Sequence, residues 1–423
     1  CAGCAGGGGG GGGGGSSKRG TDRSLDAPID GQDGQQQQTP NSNSSSEPYN
    51  FVSTAGPGCY IAHLPPQITT DDEAATATQA SDWLLDIEPF HPDDFDADVE
   101  IPEIALDPYE HSVSVTNATT SRRVCYVTVY DVAVLGRDGR VLPPGVSADN
   151  EGNRRECTTF IVLCPPTTFV HLGHLRLGKG RTLADVELDS DVRDYQEHPN
   201  PDDTHTKRIG FPLSCKSSSE DDTGSTANST EYLCTQGEGG HLTHYMTGNY
   251  HAVDFRCPEG TPCVAVCDGT VVECQDANTL TGVAVGNLFK WNSMSIRADD
   301  DDGESGEERI TEASTSTANG SANAGKGGPL YLEYVHIQTG SICVKPGDRV
   351  KRGQVICRSG GVGFSPEPHL HFSAFRSDDP TAPTVRVWFE ARGDGCGKER
   401  ELFVPEAGLF YNKYGDVVKD GRS

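Results

Sequence analysis

The segment SPEPHLHFSAF, residues 365–375, decides how the rest of the chain is read. Leu370, Phe372 and Ala374 alternate with His369, His371 and Ser373, the period of two of a strand with one apolar face. Two imidazoles then project together from the other face, roughly 7 Å apart along the strand. Such a pair can supply one metal ligand and one acid or base, because neutral imidazole ligates metals and its charge changes near neutral pH. An HxH on a half-exposed strand is also common without chemistry, so the surrounding sequence has to decide.

The neighbouring blocks keep the same character. HAVDFRCPEGTPCVAVCDGTVVE (251–273), NSMSIRA (292–298), LYLEYVHI (330–337) and VICRSG (355–360) are short β-prone runs cut by Gly, Pro and Asp-Gly turns. NSMSIRA and LYLEYVHI read as a hairpin whose connection, 299–328, is an aperiodic acidic and Ser/Thr/Ala/Gly insertion. Loop-closure entropy grows slowly with length, so a hairpin tolerates it. Its DDDD run lacks the spaced ligands and turn glycine of a calcium loop. Upstream, SVSVTN (112–117), RVCYVTVYDVAVL (123–135) and CTTFIVLCPPTTFVHLGHLRL (157–177) also follow period two. They leave no room for crossover helices, which predicts an antiparallel β-sandwich over 108–214. Residues 215–231 read as a linker, 232–411 as a second β-rich domain and 412–423 as a tail. Residues 1–107, with an unbroken glycine run from Gly6 to Gly15, read as a disordered acidic and Gly-rich tail. The fold class is mainly β.

Acidic residues outnumber basic ones by 62 to 34, a net charge of −28. That sign opposes an electrostatic grip on nucleic acid or anionic lipid, so neither is expected as a partner. No run approaches the ~20 apolar residues that cross a bilayer. The 15 cysteines lack the paired CxxC spacing of a structural zinc site, and in an oxidising compartment some would pair. Sequons at Asn43, Asn117, Asn228 and Asn319 agree with secretion. The chain opens on Cys1 rather than Met, the mark of a fragment, so a missing leader says nothing.

Taken in order, CTQGEGGHLTH (234–244), the VDF block and the long run from LYLEYVHI to HLHFSAF (330–375) resemble a known family. They look like the lysostaphin-type (LytM-type, β-lytic) zinc metalloendopeptidases, which cleave peptidoglycan cross-links, over roughly residues 232–376, about a third of the chain. The resemblance implies a duplicated hybrid-motif-like β core, one Zn²⁺ and a peptide or peptidoglycan-like substrate. It also implies Asp254 and His371 as ligands, with His336 and His369 as the catalytic pair. Two histidines and a carboxylate leave one open position, which suits catalytic zinc.

The first ligand departs from the family's HxxxD spacing. His251 precedes Asp254 by three positions, which places the two on opposite faces of a strand, and Tyr250 takes the in-register place. Three readings stay open. His244 reaches the metal from the preceding loop; a bulge turns His251 into the site; or no third ligand arrives and the domain binds peptide or glycan, or regulates, instead of cutting. Glu367 and Cys357, where the family has Gly, imply an altered substrate groove. The VKPGDRVKRGQ lattice (344–354) also occurs in biotinyl and lipoyl carrier domains, but here no modifiable Lys flanks the Asp-Gly turn.

Overall fold

Apolar alternation upstream of residue 180 becomes two facing sheets in the computed structural model, which describes residues 58–63, 86–89, 100–214, 231–300, 328–379, 381–391 and 401–418. One sheet runs Glu187–Asp194, Arg123–Tyr130, Arg154–Cys164, Gly145–Ala148, Thr281–Gly282, with Cys59–His63 added parallel to Arg154–Cys164. The other runs Asp86–Pro89, Thr168–Arg176, Ser112–Asn117, Glu103–Asp107, with Ala133–Leu135 beside Thr168–Arg176. Val113, Val115, Cys125, Val127, Phe160, Val162, Val170 and Leu172 fill the space between them.

The two long apolar runs each break once and so serve both sheets. The first breaks at Asp131, which takes a φ of 52°, and the second at Pro165, Pro166 and Thr167, where Thr167 takes a φ of 53°. Strand Arg123–Tyr130 is buried along nearly its whole length because its second face, through Val124 and Tyr126, packs against Tyr245, Val285 and Phe364. A strand covered on both sides reads as continuous apolar sequence.

Strands Cys59–His63, Asp86–Pro89 and Glu103–Asp107 lie inside the stretch expected to be a disordered tail. CYIAH is too short to signal a strand by itself, and it becomes one by pairing with the buried Arg154–Cys164. Residues 1–57, most of the expected linker (215–230) and most of the insertion (301–327) lie outside the described residues. Asn117 is fully buried, and its amide donates to the Pro165 carbonyl at 2.6 Å. That sequon asparagine is an internal brace of the folded chain.

The larger sheet is antiparallel throughout, in the order Arg349–Val350, Gly269–Gln275, Ser293–Ala298, Tyr331–Val335, His369–Phe375, Val253–Arg256, Glu231–Gln236, Phe410–Asn412. Ser293–Ala298 and Tyr331–Val335 form the expected hairpin, and Ala298 N–H closes it on the Leu330 carbonyl. Leu332, Tyr334, Leu370, Phe372, Val253 and Phe255 point into one core. The alternate residues form the opposite face, and there the site assembles.

Two pairings tie distant segments together. Thr281–Gly282 adds to Gly145–Ala148, and Thr204–Ile209 runs parallel to Arg386–Glu390. Gly282 has a φ of 102°, and a Cβ there would lie 2.0 Å from the Val146 carbonyl oxygen, so only glycine fits. Residues 49–423 belong to one unit. Among the described residues, helical structure is limited to the single turns Leu183–Asp185 and Val285–Asn287. No helix there is long and apolar enough to cross a membrane.

Candidate metal centre

Register across four adjacent strands places Gln236 opposite Asp254, Asp254 opposite His371, and His371 opposite Val335. One row across the sheet therefore carries an amide, a carboxylate and an imidazole. His244 comes from the loop that joins Glu231–Gln236 to Val253–Arg256. Gln236 holds that loop, since its Oε1 accepts the backbone N–H groups of Thr243 at 2.9 Å, Leu242 at 3.0 Å and His244 at 3.3 Å. Its Nε2 donates to Asp254 Oδ2 at 2.7 Å. Motif reading passed over Gln236: by period two it would share the core face of Cys234, and a break in register between Cys234 and Gln236 turns it to the site.

Three candidate ligands converge. His244 Nε2 lies 3.3 Å from His371 Nδ1 and 3.3 Å from Asp254 Oδ2, and His371 Nδ1 is 2.8 Å from Asp254 Oδ1. One donor atom from each residue falls within 4.8 Å of the others, and all three residues are buried. Donors held ~2.0–2.2 Å from one tetrahedral ion sit about 3.3–3.6 Å apart. The nitrogen and oxygen donor set, its spacing and its burial fit zinc. His251 is not among them: its Nδ1 faces the Thr384 carbonyl at 3.1 Å and its Nε2 the Pro201 carbonyl at 2.9 Å. His251 lies in the turn just before strand Val253–Arg256, and no bulge turns it inward.

The histidines are oriented by backbone carbonyls. His244 Nδ1–H donates to Gly237 at 3.0 Å, His369 Nδ1–H to Glu367 at 2.8 Å and His336 Nδ1–H to Val362 at 2.7 Å. Each bond fixes the tautomer and leaves Nε2 as the lone-pair nitrogen facing the site. His371 alone is presented through Nδ1. His336 and His369 stack with ring centroids 4.4 Å apart, and His369 Nε2 is 3.9 Å from Asp254 Oδ1. Both line a cavity of about 90 Å³ with Asp254, His371, Glu333 and Trp291. His336 takes a φ of 61°, a left-handed conformation that a non-glycine residue holds only when its surroundings demand it.

Charge follows from these contacts. Burial alone would raise the Asp254 carboxyl, but His244, His369 and His371 hold it well below the usual range, so it stays a carboxylate. Burial, with His369 and His371 beside it, holds His336 far below the ordinary imidazole value, so it stays neutral. Glu367, the residue in place of the expected glycine, pairs through its side chain with Arg256 at 2.7 Å.

Comparison with known proteins reaches the same region. Peptidase family M23 matches residues 311–383. Glycyl-glycine endopeptidase ALE-1 of Staphylococcus capitis is 28% identical over 41% of this chain and 37% of its own length. Lysostaphin of Staphylococcus staphylolyticus is 35% identical over 20% of this chain and 18% of its own. The chain thus spans well under half of these relatives. The solved catalytic domain of lysostaphin from Staphylococcus simulans aligns over 37% of this chain and 89% of its own, at 23% identity with a TM-score of 0.23. With the HLH strand and its companion blocks in family order, residues 232–376 are similar to the lysostaphin-type peptidases of family M23.

Proposed function

We propose that this region is a zinc metalloendopeptidase that hydrolyses peptide bonds, with peptidoglycan cross-links as the substrate class, acting outside the cell. The observation that carries the reading is the pairing of a three-donor set at zinc spacing with two further histidines whose Nε2 atoms face the same cavity.

His244, Asp254 and His371 would hold one Zn²⁺, which when bound supplies Lewis acidity toward a water molecule and toward the scissile carbonyl. His336, kept neutral by burial, is the base: its Nε2 takes the proton of the attacking water. His369 faces the same space and, when protonated, donates a hydrogen bond to the oxygen that gains negative charge. As the C–N bond breaks, the proton held at His336 passes to the departing amine. Gln236 keeps Asp254 and the His244 loop in place throughout.

The test uses the full chain. Elemental analysis should find one zinc per chain, and an oligoglycine-cross-linked peptidoglycan should be solubilised, with loss of that activity in His336→Ala while zinc is retained. Zinc binding without hydrolysis by the wild-type chain would favour a peptide- or glycan-binding module instead.

A further inference from the structure

Glu333 lies on Tyr331–Val335, on the same face as the donor set, and lines the same small cavity as His336, His369 and His371. Across the sheet it stands between Ser295 on one side and Ser373 on the other. Leu332 and Tyr334, its chain neighbours, fill the core. Its Oε2 accepts one hydrogen bond, from Ser373 Oγ at 3.2 Å. A carboxylate has about four acceptor positions. Among the described residues no lysine or arginine forms an ion pair with it, unlike the buried Glu390, which Arg352 meets at 2.8 Å. Asp254 is served by three histidines and Gln236, and Glu333 has no comparable set. Glu333 is half-buried; shielding a carboxylate from water without a cation is costly, and its burial accordingly pushes its carboxyl up. Glu273 continues the same polar row one strand beyond Ser295.

We infer that Glu333 is a specificity residue that receives a cationic group of the substrate, a primary amine or guanidinium on a residue flanking the scissile bond. This rests on the peptidase reading of the site and names its substrate class. A net charge of −28 favours the approach of such a substrate. The competing role is positional: Glu333 would act through the His371 ring and thereby on the metal.

The experiment compares two quenched oligoglycine peptides on the full chain, one with a lysine beside the glycines and one with the same lysine Nε-acetylated. A hydrogen bond to a charged group contributes enough for about tenfold or greater preference in kcat/KM for the lysine peptide. Glu333→Gln should bring that ratio to about one while zinc per chain stays the same. A wild-type ratio near one overturns the proposal. So does a Glu333→Gln chain that loses zinc and slows equally on both peptides, since that is the positional role. If the wild type cleaves neither peptide, the peptidase reading fails, and calorimetric binding of the two intact peptides then decides the recognition. Tighter binding of the lysine peptide that Glu333→Gln abolishes supports it, and equal binding overturns it.

Discussion

Gln236 couples the carboxylate of the donor set to the loop that brings His244, through bonds to Asp254 and to three consecutive loop amides. Gln236→Leu removes these four bonds, and a fifth from its Nε2 to Thr243 Oγ1, at similar side-chain size. Zinc affinity should fall about 10–100-fold, the usual consequence of losing a group that orients a ligand. A competition titration against a chelator reads this, and an unchanged affinity would show that the loop holds itself. His244→Ala deletes a proposed ligand outright and should weaken zinc by more than that. His251→Ala should leave zinc affinity near wild type and lower the melting temperature, because its ring bridges the Thr384 and Pro201 carbonyls. The opposite ranking would move the ligand assignment to His251. Strand faces were legible here: period two groups His369 with His371 by arithmetic, whereas His251 is kept from Asp254 by the turn that precedes Val253–Arg256. Choosing His244 was not, because an aperiodic loop takes its path from side chains such as Gln236 that carry no motif.

At the scale of elements, the Ser293–Ala298 and Tyr331–Val335 hairpin is complete without its connection. Arg297 pairs with Tyr331, and the Ala298 N–H bonds to the Leu330 carbonyl. Replacing residues 301–327 by a four-residue Gly-Ser turn should leave zinc stoichiometry unchanged. It should raise stability slightly, since each halving of a flexible loop returns only about 0.6 kcal/mol. A lowered or broadened thermal transition would contradict this. The hairpin could be read because its two strands carry matched alternation on either side of a composition shift. CYIAH could not, because its strand state is conferred by a partner about 100 residues away, Thr159 opposite Cys59. The splits at Asp131 and Thr167 were hidden for a related reason: a strand buried on both faces loses the alternation that would mark where it changes sheet.

For the molecule as a whole, the N-terminal sheet and the sheet that carries the candidate donor set meet at the His244 loop. Tyr126 O–H approaches Met246 sulfur at 3.8 Å, and His63 packs edge-on against His241 and Tyr245, with centroids 4.8 and 4.3 Å away. Burial above all, then the charges of His241 and Arg122, pushes the His63 imidazole down to about 3. The unfolded chain takes that proton near pH ~6.5. The stability tied to neutral His63 is thus full above ~6.5 and is lost progressively as pH falls toward the folded value. Urea unfolding of the metal-free chain should show stability declining between about pH 7 and 5, with a shallower decline in His63→Asn. Parallel slopes would remove His63 from the account. These contacts span 120 and 178 residues of sequence, a distance at which periodicity gives no information.

The same strand order sets a schedule. Asp254 and His371 stand 117 residues apart in the chain but side by side in the sheet. At a synthesis rate of ~5–20 residues per second, roughly 6–23 s separate their emergence from the ribosome. His244 and Asp254 come out first, and the central strand that brings His369 and His371 is nearly the last of the sheet to be made. Until His371 emerges the chain carries an incomplete donor set, so the moment at which the centre can form is fixed by the order of the strands.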